Sequence, residues 1–380
     1  MTDTLQALID PIRAAVAAKT RLRIRGHGSK DFYGGSLRGE LLDTTLHSGI
    51  VSYEPTELVI TARAGTSLAE LEAALAEQGQ CLAFEPPRFA DATGTGRGTV
   101  GGMVAAGLSG PARASVGGVR DYVLGVQLIN GRAEHLTFGG QVMKNVAGYD
   151  VTRLTVGSMG ILGVLTEVSL KVLPVAPAEA TLVFEIDQAR ALEQLHLWGG
   201  QPLPLNASCW VQDHTAPGTP ELLFVRLRGA AAAVQSAITR MTQDVPGQPI
   251  DNAQAGPDWR ACRDQTLPFC NAADHAGDAL WRLSVPQNAP ALDLPWPQLV
   301  EWHGGQRWVW APESALSTLR EQTQAAGGST TLFRATYVSS VRATSTFDPL
   351  TSPLAQIHAR LKAEFDPAHI FNPGRLIAAL

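Results

Sequence analysis

A chain of 380 residues in which 17% are charged and 45% hydrophobic, with 37 glycines, falls below the ~25% charge usual in globular domains and is long enough for two domains. Its net charge of −5 removes the basic footprint that nucleic-acid binding requires, and no run approaches the ~18 apolar residues of a membrane span. Cys81, Cys209, Cys262 and Cys270 form no CxxC pair and the nine histidines no HxH or HxxxH pair, so reduced thiols and no metal centre are expected. The acidic start MTDTLQALIDPIR lacks the basic and apolar regions of a signal peptide. A cytoplasmic location follows as the expectation, with membrane attachment only through a partner.

Leu5, Leu8, Ile9, Ile12 and Val16 recur at helical spacing, interrupted by Pro11, which predicts a helix that can split there. An apolar run, Leu22 to Ile24, leads into Arg25 to Gly34, RGHGSKDFYG. Glycine accepts positive φ, so consecutive N–H groups there can turn towards one point and form a concave anion nest. The hydroxyl of Ser29 and the cation of Lys30 beside it suit a diphosphate. Strands are predicted near Glu40–Thr44, Ile50–Tyr53 and Leu58–Arg63. Ser67 and Glu70 then make a capping box for a helix through Leu68, Leu71 and Leu75, with Gly79 as its stop. Cys81–Phe84 reads as a strand, 91–118 is the glycine maximum, and Val119–Ile129 is a strand pattern. Asn130-Gly131 predicts a type I′ hairpin returning over Ala133–Phe138. Another glycine segment, 145–160, precedes a long strand, Ile161–Leu173, closed by Pro174.

The domain boundary is placed at the PVAPAEA run. Beyond it, strands Thr181–Ile186, Ala207–Gln212, Leu222–Arg228, Leu280–Val285, Leu299–Trp302, Arg307–Trp310 and Thr331–Tyr337 alternate irregularly with helices Ala189–Trp198, Ala230–Met241 and Glu313–Ala326. That order predicts an antiparallel sheet with helices on one face. The tail from Leu354 to Phe365 is helical and ends in FDPAHIFNPGRL.

Gly96, Gly98 and Gly101 match GxGxxG. The dinucleotide fingerprint needs a strand immediately before its first glycine, whereas here the nearest predicted strand ends at Phe84. Three separated clusters, Gly26–Gly35, Gly94–Gly118 and Gly148–Gly163, instead suit a long ligand enclosed from several sides, such as a flavin dinucleotide. The ordered motifs RGHGSKDFYGG, AGTSLAELEAAL, GTVGGMVAAGLSG, GGVRDYVLGVQLINGRAEHLTFGG, NVAGYD and GSMGILGVLTEVSLKVLP resemble the FAD-binding domain of the vanillyl-alcohol-oxidase (PCMH-type) flavoproteins. The ending FDPAHIFNPGRL is similar to that family's closing segment. Within the superfamily, WRACRDQTLPFC and LWRLSVP extend the likeness to the FAD-binding E subunits of bacterial glycolate oxidases.

The resemblance implies an α+β architecture: a PCMH-type FAD-binding domain of two α+β subdomains (residues 1–174), a smaller α+β antiparallel-sheet cap (175–345), and a helix and tail returning to the first domain (346–380). It implies FAD held by Arg25, Gly26, His27, Gly28, Ser29 and Lys30 at the pyrophosphate. Thr99, Gly101, Gly102 and Ala105 would lie along the pyrophosphate and ring, and Gly160, Gly163 and Val164 at the adenosine half. Asn145, Gly148, Tyr149 and Asn372 would also face the cofactor. Some relatives carry a flavin-linked histidine in the first loop. By motif that position is Ser29, so FAD is expected to be non-covalent. The implied chemistry is oxidation of a small 2-hydroxy acid, glycolate, alongside a catalytic flavin subunit and an iron–sulfur subunit. The substrate carboxylate calls for the bidentate fork of an arginine, and Arg113, Arg120, Arg263, Arg282 and Arg334 are the candidates. The related D-2-hydroxy-acid dehydrogenases share a GDGNxH metal motif late in the cap, whereas this chain has TLFRATYVSSVRATSTFDP there, with no histidine. A flavin scaffold, an electron-relay subunit and a stand-alone oxidoreductase for another hydroxy acid therefore stand as alternatives.

Overall fold

The computed structural model describes residues 2–91, 93–94, 96–140, 150–335 and 346–380. The chain divides into two compact units, the first made of Met1–Leu108, Gly118–Pro174 and Ser340–Leu380, the second of Ser109–Gly117 and Val175–Ser339.

The first unit holds two cores. In one, helix α1 (Thr2–Ala18) packs Leu8, Ile12 and Ala15 against the parallel pair β1 (Leu22–Arg25) and β2 (Glu40–Asp43), together with Ile370 and Phe371 from the tail. Pro11 lies inside this single helix and does not split it. Burial of Leu8 and Ile12 on either side outweighs the lost backbone hydrogen bond, because packing supplies most helix stability in folded proteins.

The other core covers an antiparallel five-stranded sheet of β3 (Ile50–Glu54), β4 (Val59–Arg63), β6 (Val123–Ile129), β7 (His135–Gly139) and β8 (Val164–Lys171), in the order β3-β4-β8-β6-β7. A short pair, β5 (Gln80–Cys81) with β9 (Leu173–Pro174), lies beside it in sequence. Helices α2 (Leu68–Glu77) and α3 (Val100–Ala106) pack Leu71, Leu75, Met103 and Val104 onto Ile60, Val126 and Val168. Ser67 caps α2 by accepting from the Glu70 N–H at 3.1 Å, and Gly79 beyond its end is left-handed.

Three sequence expectations change here. Val119–Asp121 is a 3-10 turn and not the start of a strand, because the Asp121 carboxylate accepts from the Gly118 N–H at 2.8 Å. The β6–β7 connection is no two-residue type I′ turn. Its five residues include Ala133 in the left-handed region while Gly131 is not, and Asn130 Oδ1 accepts from the N–H groups of Arg132 and Glu134. A short helix α4 (Val151–Thr155), capped by Asp150, occupies part of the segment read as a glycine loop.

The second unit is built on an eight-stranded antiparallel sheet. Its strands are β10 (Ala178–Glu185), β11 (Leu205–Gln212), β12 (Glu221–Gly229), β13 (Gly247–Ile250), β14 (Ala279–Ser284), β15 (Gln298–Glu301), β16 (Gln306–Ala311) and β17 (Ser329–Arg334), ordered β13-β10-β12-β11-β15-β16-β14-β17. Helices α5 (Gln188–Gly199) and α6 (Ala231–Asp244) cover Phe184, Trp210, Leu223 and Val225, and α8 (Leu316–Ala325) covers Trp281, Val309 and Leu332. Trp210 pairs with Val300 and Val300 with Arg307, so these three helices share one face of the sheet. Helix α7 (Asn252–Asp264) does not. Its Trp259 Nε1 donates to Thr181 and its Cys262 Sγ to Glu301, residues of the opposite parity. The one-face expectation thus fails at α7.

Candidate flavin cleft

Strand β1 delivers the glycine loop. One edge of β1 pairs with β2. On the other, the Leu22 N–H donates to the Ile370 carbonyl at 2.7 Å and the Ile24 N–H to Asn372 Oδ1 at 2.8 Å. Past Arg25 the pairing stops: among the described residues, no acceptor takes the N–H groups of Gly26, His27, Gly28 and Ser29. Four successive donors line one wall of a cleft, and Gly28 holds φ +72°, the turn a side chain would oppose. With no protein acceptor, they are free to donate to an anionic ligand. Hydrogen bonds to a charged group contribute roughly 1.5–3 kcal/mol each, enough in fours to offset partial burial of a diphosphate.

The remaining walls come from distant segments. Thr99, 1% exposed, caps α3 by accepting from the Gly102 N–H at 3.2 Å, and a Cβ on Gly26 would stand 2.4 Å from its Oγ1. His27 Nδ1 lies 3.1 Å from the Gly98 carbonyl. A carbonyl only accepts, so His27 Nδ1 is the donor in this bond. Ser29 is buried, Arg25 pairs with Asp31 at 3.0 Å, and Lys30 Nζ sits 5.9 Å from the Phe89 ring centre. Gly102, Ala105, Gly160 and Gly163 line the cleft.

Some expected residues play a different part. Gly101 lines the cleft, yet its N–H donates to the Ala64 carbonyl and a Cβ would stand 2.7 Å from Ala64 Cβ, so close packing of α3 onto β4 explains the glycine. Val164 is fully buried among Leu22, Ile129 and Phe371 and does not line the cleft. Asn372 spends both ends of its amide on backbone, accepting from Ile24 and donating to the Met159 carbonyl at 2.7 Å. It thereby holds β1 and the Met159–Gly160 turn together. Asn145, Gly148 and Tyr149 lie outside the described residues.

Arg375 was not anticipated. It is 7% exposed, lines the cleft, and its guanidinium donates to the carbonyls of Lys30, Asp31 and Gly35. Tying three carbonyls outward helps keep the loop's N–H groups facing the cleft. Behind the tail, Lys362 and Asp366 are both 0% exposed. Lys362 Nζ donates to Asp366 at 2.6 Å and to the Ile161 and Phe371 carbonyls, while Asp366 accepts from the N–H groups of Ile370 and Phe371. Burial lowers the Lys362 pKa and the Asp366 carboxylate opposes that shift. The position of Arg375 three residues after Asn372 was a usable signal. The burial of Lys362 had none.

The arginine candidates do not line this cleft. Arg120 is exposed on its 3-10 turn in the first unit. The other four belong to the second. Arg113 stacks on Trp302 at 4.5 Å, and Arg263 makes a two-pronged pair with Asp264. Arg334 pairs across strands with Leu280, two residues from Arg282, which puts Arg282 and Arg334 on one sheet face. Burial lowers the Arg334 pKa. Among the described residues no group of three or more His, Cys, Asp or Glu could hold a metal, and no helix is long and apolar enough to cross a membrane.

Residues 2–154, which contain the glycine loop and the α3 wall, match the family model of an FAD binding domain. Together with the unclaimed donors, this match defines an FAD-binding flavoprotein, and FAD is its cofactor. The fold agrees: the chain superposes on alkyldihydroxyacetonephosphate synthase with a TM-score of 0.65 over 96% of this chain and 75% of that one, at 14% identity. Over 378 residues, 100% of this chain and 99% of the relative, it is 42% identical to glycolate oxidase subunit GlcE of Escherichia coli (strain K12). The chain belongs to that GlcE family. More partial matches are glycolate oxidase subunit GlcD of Bacillus subtilis (32% identity over 35% of this chain and 27% of that one) and a D-lactate dehydrogenase of Anaerostipes hadrus (30% over 38% and 29%).

Proposed function

We propose that this chain is the FAD-binding subunit of a glycolate oxidase complex, an FAD-dependent oxidoreductase acting on the CH–OH group of a 2-hydroxy acid and taking part in conversion of glycolate to glyoxylate. The likeness to a glycolate oxidase subunit along the whole chain carries this reading. The N–H groups of Gly26 to Ser29 hold the diphosphate non-covalently, Ser29 adds its hydroxyl, and Thr99, Gly102, Ala105 and Gly160 line its course. Bound FAD supplies a two-electron acceptor. Asn372, Arg375 and Lys362 keep the loop and tail in place, while Arg282 and Arg334 on their shared sheet face offer the cations a carboxylate needs. Segment 1–174, apart from Ser109–Gly117, which belongs with the second unit, acts with the tail 346–380 as the FAD-binding half and 175–345 as the cap. Electrons leave through a catalytic flavin subunit and an iron–sulfur subunit, which also provide any attachment to the inner face of the membrane.

A second reading, a relay or scaffold flavin, is favoured by one observation: none of the candidate arginines lines the cleft. Anaerobic titration separates the two. The purified chain binds FAD and is yellow, and bleaching by glycolate or D-lactate only when the partner subunits are present favours the relay reading. Bleaching of the chain alone gives it a catalytic site of its own, and a colourless preparation that FAD cannot reconstitute overturns both.

A further inference from the structure

The second unit contains its own cavity of about 700 Å³, within the range of small-molecule sites. Its floor is the sheet face opposite α5, α6 and α8, through Val211, Phe224 and Leu299, and its walls include Ala255 and Trp259 of α7 and Phe269 beyond it. Two polar groups of its wall already have partners. Trp259 Nε1 donates to Thr181 Oγ1 at 3.0 Å and Cys262 Sγ to Glu301 at 3.2 Å. The interior offers contact area and ring faces. His275, stacked on Trp310 with centroids 4.5 Å apart and planes 9° from parallel, adds a flat polar edge.

Asp213, Asp258 and Asp274 line the cavity together with His214, and among the described residues no lysine or arginine does. Asp213 and Asp274 are fixed by local bonds, from the Thr215 N–H at 2.9 Å and from Asn271 Nδ2 at 2.8 Å. A small carboxylate is repelled by the three aspartates. We propose that the cavity binds an organic cation with an apolar ring body, the rings against Phe224, Trp259 and Phe269, whose faces also attract cations, and the charge at the aspartates. It is a site separate in chemistry from one for a hydroxy-acid anion.

The test is calorimetric titration of the FAD-loaded chain with thioflavin T, a flat aromatic cation, and with the anion 1-anilinonaphthalene-8-sulfonate. Thioflavin T binds saturably with a stoichiometry of one and weakens at least fivefold when Asp258→Asn and Asp274→Asn are combined. Ala255→Trp, which fills the space, abolishes binding. All eight tryptophans lie between Trp198 and Trp310, so near-UV circular dichroism shows whether each variant's second unit is folded. If Ala255→Trp does not fold, the surface aspartate pair decides. No saturable binding to the parent, unchanged affinity in the folded variants, or an anion bound as tightly as the cation overturns the proposal.

Discussion

At Gly26 and Gly28 a single atom decides the geometry of the cleft. A Cβ on Gly26 would meet Thr99 Oγ1 at 2.4 Å and Cγ2 at 2.9 Å, and Thr99 cannot retreat because it is buried and caps α3. At Gly28 the left-handed φ costs a side chain roughly 1–2 kcal/mol, and its Cβ would displace the Arg25 guanidinium. Gly28→Ala is therefore expected to weaken FAD binding about tenfold, read by quenching of free flavin fluorescence; unchanged affinity would remove the nest from the account. Glycine makes such positions readable from sequence, since few other demands select it. The same logic does not separate two demands at Gly101, which lines the cleft and whose missing side chain also makes room for Ala64. His303 gives a second residue-scale prediction. It sits at φ +54° between the hydroxyls of Ser208 and Ser115, each at 3.0 Å, and burial lowers its pKa to about 4. The folded unit thus binds fewer protons than the unfolded chain between pH 6.5 and 4, and stability falls as pH drops through that window, by at most about 3 kcal/mol. Urea titrations followed by tryptophan fluorescence should show this slope, and His303→Asn, a residue tolerant of left-handed backbone, should flatten it.

The C-terminal helix, Ser352–Phe365, buries a lysine as its one fully covered residue, and through it the element controls the cleft. Lys362→Met removes the ammonium that donates to the buried Asp366, a loss of about 3–5 kcal/mol. Adding Asp366→Asn should cost less than the two single changes summed, because both act on one network. Denaturation followed by flavin release measures this, and simple additivity would mean that the pair does not work as a unit. Caps and periodicity made α2, α5 and α6 readable in the sequence. Helix α3 was hidden because Val100-Gly101-Gly102 reads as a loop until Thr99 caps it. Helix α7 was hidden by Gly256-Pro257 and by an apolar stripe of only Ala255, Trp259 and Cys262. Tertiary contacts decided both.

For the molecule as a whole, the order of glycine motifs across the first unit and the mixed helix and sheet were legible, because backbone-lined ligand contacts leave glycine behind and amphipathic strands leave alternation. Chain return was expected from the family resemblance alone. Joining Phe371 to Leu22 and Asn372 to Ile24 spans almost the full length of the sequence, and no local pattern encodes it. Nor does the assignment of Ser109–Gly117 to the second unit show in a stretch of small residues. Its anchors, Trp302 Nε1 on the Gly110 carbonyl and the Arg113 stack on the Trp302 ring, come from far along the chain.

Hydrogen–deuterium exchange of the backbone amides of Gly26 to Ser29, measured in the apoprotein and after loading with one equivalent of FAD, reads the unclaimed donors themselves. With no protein acceptor they exchange fast in the apoprotein, and the account predicts that FAD slows all four by about 100-fold or more, as expected when opening must first break bonds to a tightly held ligand. Stoichiometric FAD binding that leaves those four amides exchanging at their original rate would contradict it.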